Sequence, residues 1–489
     1  MIRKLLLTAA LASASIASAN AQAFLLAQGS LTGSAAGEGV DLSGLTYNLE
    51  NGLPANILGG VGSGLAYAGG NTFLAVPDRG PNATPYNSAV DDTVSYVSRF
   101  QTLNMSLVAA PSGSALPFAL TPTLTHTTLL SSPTPLIYGT GAGLGNQKDG
   151  TPLGSGAPVI NTADAYYFSG RSDNYGAGDS GNPLNGRFDP ESIRLSNDGK
   201  SVFISDEYGP YVRQFDSATG QLVKTFTLPG NLNAPNLSPK GDVEISGNTV
   251  GRVANKGMEG LAITPDGKTL VGIMQAPLEQ DAANPATANM VRIVTIDIAS
   301  GQTHEYAYQL TTGSGVSDIV AINDHQFLVD ERDGKGLGDG SNAKVKQIFQ
   351  IDIAGATDIT SLNGAAAAAA AVTKESNPFI DLVMQLVNSG MTKAQIPAKI
   401  EGISFGQDVL LNGEWIHTLY IANDNDFLPG IAGANQFYVF GFRDKDLPDY
   451  VAQQFGAVPE PASWGMMLGG FGLAGVAIRR RRGKAPALA

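Results

Sequence analysis

A carboxylate, an apolar strand, a turn, a second apolar strand and another carboxylate recur along this chain. Pro190-Glu191-Ser192-Ile193 leads to Ser205-Asp206-Glu207-Tyr208, and Met258-Glu259-Gly260-Leu261 leads to Met274-Gln275. Ser317-Asp318-Ile319 leads to Asp330-Glu331-Arg332, and Ile400-Glu401-Gly402-Ile403 leads to Asp424-Asn425-Asp426. A fifth copy, Ser63-Gly64-Leu65 followed by Asp78-Arg79-Gly80, lacks the first acid. Two strands joined by a tight turn run antiparallel, so the start of the first lies beside the end of the second. Each unit therefore sets its acids at one edge, and stacked units gather them at one end of the molecule. Acids this crowded repel one another and hold protons unless cations neutralise them. Oxygen-only donors select Ca2+ or Mg2+, and Ca2+ tolerates irregular cages better. Arg79 and Arg332 each follow a strand-end acid and carry the planar fork that clamps a phosphate or carboxylate. The plainer alternative is that such acids bind backbone amides of the next unit, and that Arg79 pairs with Asp78 or another acid of the rim.

These acids need strands to hold them. Ser192–Leu195 and Ser201–Ile204 flank Asn197-Asp198-Gly199-Lys200, where Asp-Gly suggests a type I′ turn. Val212–Asp216 and Val223–Leu228 complete a set of four. The pattern returns from Leu261, Ile319 and Ile403, with first strands 58 to 84 residues apart. Four strands per repeat mark a β-propeller. The expected fold is all-β. Four clear units and one partial are visible, and a sixth is expected from the N-terminal strands and residues 96–130. Six blades are expected, with seven as the alternative. One short inserted helix is expected from the spacing of Phe379, Leu382, Val383, Leu386 and Val387, with Asn377 as cap, Pro378 in the first turn and Gly390 as stop.

Gly 60, Pro 27 and a charged fraction of 15% suit many short strands and turns. A net charge of −13 argues against nucleic acid as a partner and suits cations, or anions held through them. With Cys 0 there is no disulfide and no thiolate metal site. Arg3 and Lys4 precede the apolar run Leu5–Ala12 and small residues, which reads as a secretory signal over residues 1–23. The body is 24–457. The tail, 458–489, has Val458-Pro459-Glu460-Pro461, an uncharged run Ala462–Ile478 of 17 residues, and Arg479–Arg482. That run is at the short limit of a membrane span, with the arginines on the cytoplasmic side. The tail resembles the PEP-CTERM sorting signal of Gram-negative bacteria. The resemblance implies export, a transient C-terminal transmembrane helix in the inner membrane, and removal of the tail by an exosortase. A permanent anchor is the alternative. Without both ends the body carries a net −19.

Further residues carry a second resemblance: Asp78-Arg79-Gly80-Pro81-Asn82, Phe188-Asp189-Pro190-Glu191, Asp206-Glu207-Tyr208-Gly209-Pro210, Lys256-Gly257-Met258-Glu259, Glu331-Arg332-Asp333, Lys399-Ile400-Glu401 and Asn423-Asp424-Asn425-Asp426-Phe427. Together they resemble the "esterase-like activity of phytase" family, relatives of β-propeller phytases, over about residues 60–445. The resemblance implies a propeller that hydrolyses an ester or phosphate ester. In β-propeller phytases, calcium ions bridge acids to substrate phosphates and one activates water. By that analogy Asp78, Glu191, Asp206, Glu259, Asp330, Glu401, Asp424 and Asp426 are expected metal ligands. Glu191, Asp206, Glu207 and Arg79 are the expected catalytic set, and Arg79, Arg332, Lys256 and Tyr208 are expected to bind substrate. Ca2+ is the expected ion and a small-molecule ester or phosphate ester the expected substrate. The alternative is a non-catalytic binding or extracellular-matrix propeller. No Gly-x-Ser-x-Gly stands in a strand-to-helix context, so a serine esterase elbow is not expected.

Overall fold

A computed structural model describes residues 23–83, 93–139, 154–173, 176, 178–238, 240–311 and 313–455. The secretory signal up to residue 22 and the tail from residue 456 lie outside the described residues. Among the described residues no helix is long and apolar enough to cross a membrane.

The strands form a ring of five antiparallel blades. Blade one is Gly64–Tyr67, Thr72–Val76, Arg99–Ala109 and Phe118–Leu129. Blade two is Pro190–Leu195, Ser201–Asp206, Tyr211–Asp216 and Leu222–Thr227. Blade three is Met258–Ile263, Thr269–Met274, Met290–Asp297 and Thr303–Gln309. Blade four is Gly315–Ala321, Gln326–Arg332, Lys346–Asp352 and Thr373–Lys374. Blade five is Ile400–Phe405, Glu414–Asn423 and Asn435–Phe442, with the N-terminal strand Phe24–Leu31 outermost. The first strand of each blade packs on that of the next around the axis.

Among the described residues there are five blades and not the expected six, because the strands expected for the sixth are already used. Residues 99–129 supply the outer half of blade one, where Leu103 pairs with Phe73. Phe24–Leu31 pairs with Asn435–Phe442 and closes blade five. A five-membered ring is narrow, and the inner strands meet through small residues. A Cβ on Gly64 would fall 2.7 Å from the Ser192 Cα, and one on Gly260 2.9 Å from the Asp318 Cα. Apolar faces of neighbouring blades fill the gaps, as where Leu261, Ile273 and Val294 meet Ile319 and Val329.

Two local expectations are corrected. In the blade-two turn only Gly199 (φ 71°) is left-handed, whereas a type I′ turn needs two such residues. Asp198 holds that turn by accepting from the Lys200 amide at 3.1 Å. The inserted helix runs Leu382–Asn388, and its cap is Asp381, which accepts from the Met384 amide. Ile380–Asp381 is paired to Gln347–Ile348, so the helix cannot begin at Asn377 or Pro378. Gly390 (φ 103°) does follow its end. Other helices are short, and the alanine run forms one of them, Gly364–Ala369.

Candidate functional site

The acids reach one edge by a repeated device. In blades two to five the pairing of first and second strands slips at the acid position. The slips lie between Pro190 and Ile193, Met258 and Gly260, Val316 and Asp318, and Ile400 and Ile403. A bulge adds a residue and re-aims its side chain. The re-aimed residues are Glu191, Glu259, Ser317 and Glu401. Blade one has no slip and no acid. The second strands supply the other side. Asp206, Met274, Glu331 and Asn423 pair with the residue just before each slip, and the residue after each, Glu207, Gln275, Arg332 or Asp424, faces the mouth by the alternation of side chains.

All of the re-aimed and mouth-facing groups except Ser317 and Asp424 line a cavity of about 240 Å³. Its walls include Asp78, Arg79, Glu191, Glu207, Lys256, Glu259, Arg332, Lys399, Glu401 and Asp426. Two carboxylate triplets could each hold a metal ion: Asp78, Asp424 and Asp426, and Asp189, Glu191 and Glu207, with one oxygen per residue within 4.8 Å of the others. The triplets differ in their counter-charge. Lys399 Nζ lies 2.7 Å from Asp424 and also contacts Asp426, so an ammonium already sits beside the first triplet. In the second, Arg79 Nη1 is 4.0 Å from Asp189. Asp189 Oδ2, Glu207 Oε1 and, next to it, Glu259 Oε2 are buried and accept no hydrogen bond among the described residues. Between the triplets Arg332 pairs with Glu401 and stands 3.9 Å from Glu259.

Burial and mutual repulsion raise the acids together. Burial, then the charges of Glu259, Asp189 and Glu207, hold the Glu191 carboxyl well above its usual range. Glu259 is held well up by burial and by Glu207 and Glu401. Burial lifts Asp189 to about 8 although Arg79 opposes it. Glu401 rises to about 7, with Arg332 opposing. Asp78 is pushed well up by burial and Asp424, and Asp426 rises for similar reasons. Crowded buried carboxylates of this kind are relieved by a neighbouring positive charge, and the all-oxygen donor set fits a hard divalent ion.

Of the residues singled out in the sequence, Asp78, Arg79, Glu191, Glu207, Lys256, Glu259, Arg332, Glu401, Asp424 and Asp426 come together here. Asp424 joins the site through its triplet without lining the cavity, and three others stand apart from both. Asp206 turns back to accept from the Asp189 and Tyr208 amides at 3.0 and 2.9 Å. Tyr208 is buried and donates its hydroxyl to the Gly170 carbonyl. Asp330 is buried near Arg332, and neither of its oxygens accepts a hydrogen bond among the described residues. Asp189 and Lys399 carried no role in the sequence reading. Each stands two residues before a mouth glutamate, Glu191 or Glu401, and that i, i+2 spacing on one strand face was the available signal. The histidines stay away from the mouth, where His304, His325 and His417 pair with exposed aspartates.

A ring of five four-stranded blades with an acidic mouth is the architecture of a β-propeller. The chain belongs to the phytase-like family described as "Esterase-like activity of phytase", whose model matches residues 56–427. A second match, over residues 457–482, is the PEP-CTERM protein-sorting motif, which implies processing by an exosortase. The chain is an exported protein with C-terminal membrane anchoring before cleavage. A relative called "Uncharacterized secreted protein" from Arthroderma benhamiae is 30% identical over 265 residues, 49% of this chain and 47% of that protein. The chain thus spans about half the length of that relative. Among solved structures, Kuenenia stuttgartiensis hydrazine synthase aligns at 13% identity and a TM-score of 0.30, over 85% of this chain and 87% of that one. The Myceliophteria thermophila Cps50 (Swd1) β-propeller domain aligns at 11% and 0.21, over 47% and 51%. Likenesses this loose bear on nothing further.

Proposed function

We propose that this exported protein is a calcium-dependent hydrolase of phosphate or carboxylic esters, working at the acidic mouth. The observation that carries this reading is the dense convergence of acids and cations on one cavity, with three carboxylate oxygens left without a donor. A binding propeller with structural acids would spread them around the rim and satisfy each from the backbone. Asp189, Glu191 and Glu207 are the ligands for the ion. A divalent ion held there supplies Lewis acidity and lowers the pKa of water. Arg332, whose Nε has no hydrogen-bond partner among the described residues, and Arg79 hold the ester's anionic oxygens. Glu259, whose carboxyl is held well above its usual range by burial and by Glu207, delivers a proton to the leaving oxygen. Lys256 adds positive charge at the open side, where Gln275 replaces an acid.

The test is turnover of a phosphomonoester, phytate and a short acyl ester by the purified protein, with calcium and with chelator. Calcium-dependent turnover that Glu191→Gln abolishes, with the fold intact, supports the reading. No turnover on any of them, with chelator lowering only the melting temperature, makes the ion structural and the protein a binding or matrix propeller.

A further inference from the structure

The two faces of the ring differ, and the chain leaves from one of them. First strands start at the mouth, so the turns joining first to second strands lie on the opposite face. Residues 449–455 cross that turn face. The Val451 amide donates to the Ile322 carbonyl at 2.8 Å, in blade four. The Gln453 amide group donates to the Leu195 carbonyl and to Asn197 Oδ1, both at 2.8 Å, in blade two. Tyr450 stacks on Phe405 of blade five at 4.5 Å between ring centroids, and Phe455 meets Tyr67 of blade one edge-on at 5.8 Å. The segment thus seals the lower end of the channel across four blades. The sorting motif begins two residues later, at 457. The N-terminal strand starts on the same side, since Phe24 pairs with Gly441 while Leu31 reaches Asn435 near the mouth.

An independent feature lies on this face. In blade five, Val409–Leu411 and Glu414–Ile416 extend the turn as a small hairpin. Val409 and Ile416 are buried, but their neighbours Leu410 and Trp415, paired directly across the hairpin, are 54% and 67% exposed. A tryptophan beside an aliphatic side chain suits the boundary between lipid headgroups and acyl chains. The mouth, crowded with carboxylates, is repelled by an anionic lipid surface.

We propose that the turn face is the membrane-facing surface of the anchored protein: the tail leaves it at Phe455, Leu410 and Trp415 meet the lipid interface, and the acidic mouth opens away from the bilayer. The lipid surface is the committed partner because the chain's own tail brings it to this face.

The absence of cysteine gives a clean test. The full chain, carrying one fluorophore at Lys268→Cys on the turn face or at Lys335→Cys on the mouth side, is inserted into phosphatidylcholine–phosphatidylglycerol vesicles and recovered by flotation. With a headgroup-located quencher, the Lys268 label is quenched at least about twofold more than the Lys335 label, as depth-limited contact requires. Equal quenching, or stronger quenching at Lys335, overturns the orientation. In Trp464→Phe, Trp415 is the remaining tryptophan, and its emission shifts to shorter wavelength on insertion. An unshifted emission overturns the lipid contact.

Discussion

Arg194 and Asp318 close the axis of the ring. The guanidinium approaches the carboxylate at 2.9 and 3.0 Å and donates to carbonyls of Leu65 and Ile319. Asp318 also accepts from the Ser192 hydroxyl at 2.8 Å and the Ile403 amide at 3.0 Å. One ion pair therefore joins blades one, two, four and five, and the cavity above it is a cup rather than a tunnel. Removing one partner leaves a buried charge unpaired. Asp318→Ala should lose about 3–5 kcal/mol in denaturant unfolding. A loss within the range of exposed substitutions would mean that the pair does not hold the ring.

Asp206 and Glu191 look alike as sequence and differ in position. Glu191→Gln should abolish high-affinity calcium binding in calorimetry. Asp206→Asn should keep that binding but lose about 1–3 kcal/mol of stability, because a buried acceptor of two amides is weakened. Equal loss of binding in both would place Asp206 among the ligands.

Lys399 stands where an ion could sit. Lys399→Met removes the ammonium from between Asp424 and Asp426 and frees the triplet they form with Asp78. Calcium titration of this variant should show one more bound ion than the parent. An unchanged stoichiometry would show that the triplet cannot hold an ion even when vacated.

The raised acids set the pH dependence. Asp189 at about 8 and Glu401 at about 7 bind protons more tightly in the folded chain than in the unfolded one, where carboxyls titrate near 4. The folded state thus holds more protons between about pH 4 and 8, and stability falls as pH rises through that window. In chelator the melting temperature should drop from pH 5 to pH 8. Calcium should reverse the slope, because it competes with those protons and binds better as they leave. A chelated protein equally stable at both pH values would contradict the crowding of charge at the mouth.

The propeller and most of its mouth were legible because strand alternation and repeated acids are local signals. The blade count was not. Phe24–Leu31 and Arg99–Leu129 read as strands, but only long-range pairing says which blade they complete. Asp330 was misplaced for a similar reason. Asp330 and Arg332 share one face of their strand, so alternation cannot separate them, and only the depth of the mouth leaves Arg332 in it and Asp330 one step below. Ser317 occupies the acid position of its blade, while Asp318 beside it points down the axis to Arg194. Lys399 gains its place at the site only because the second strand of its own blade brings Asp424 beside it.

The closing strand also sets a clock for folding. Phe24–Leu31 is among the first parts of the body to be made, yet its hydrogen-bonding partner Asn435–Phe442 is among the last. Until then blade five has no outer edge, and an apolar strand waits unpaired. The ring can shut only once both ends of the body stand on the same side of the membrane. The sorting tail, which follows the late end, holds that end close to the membrane from which the early end emerges.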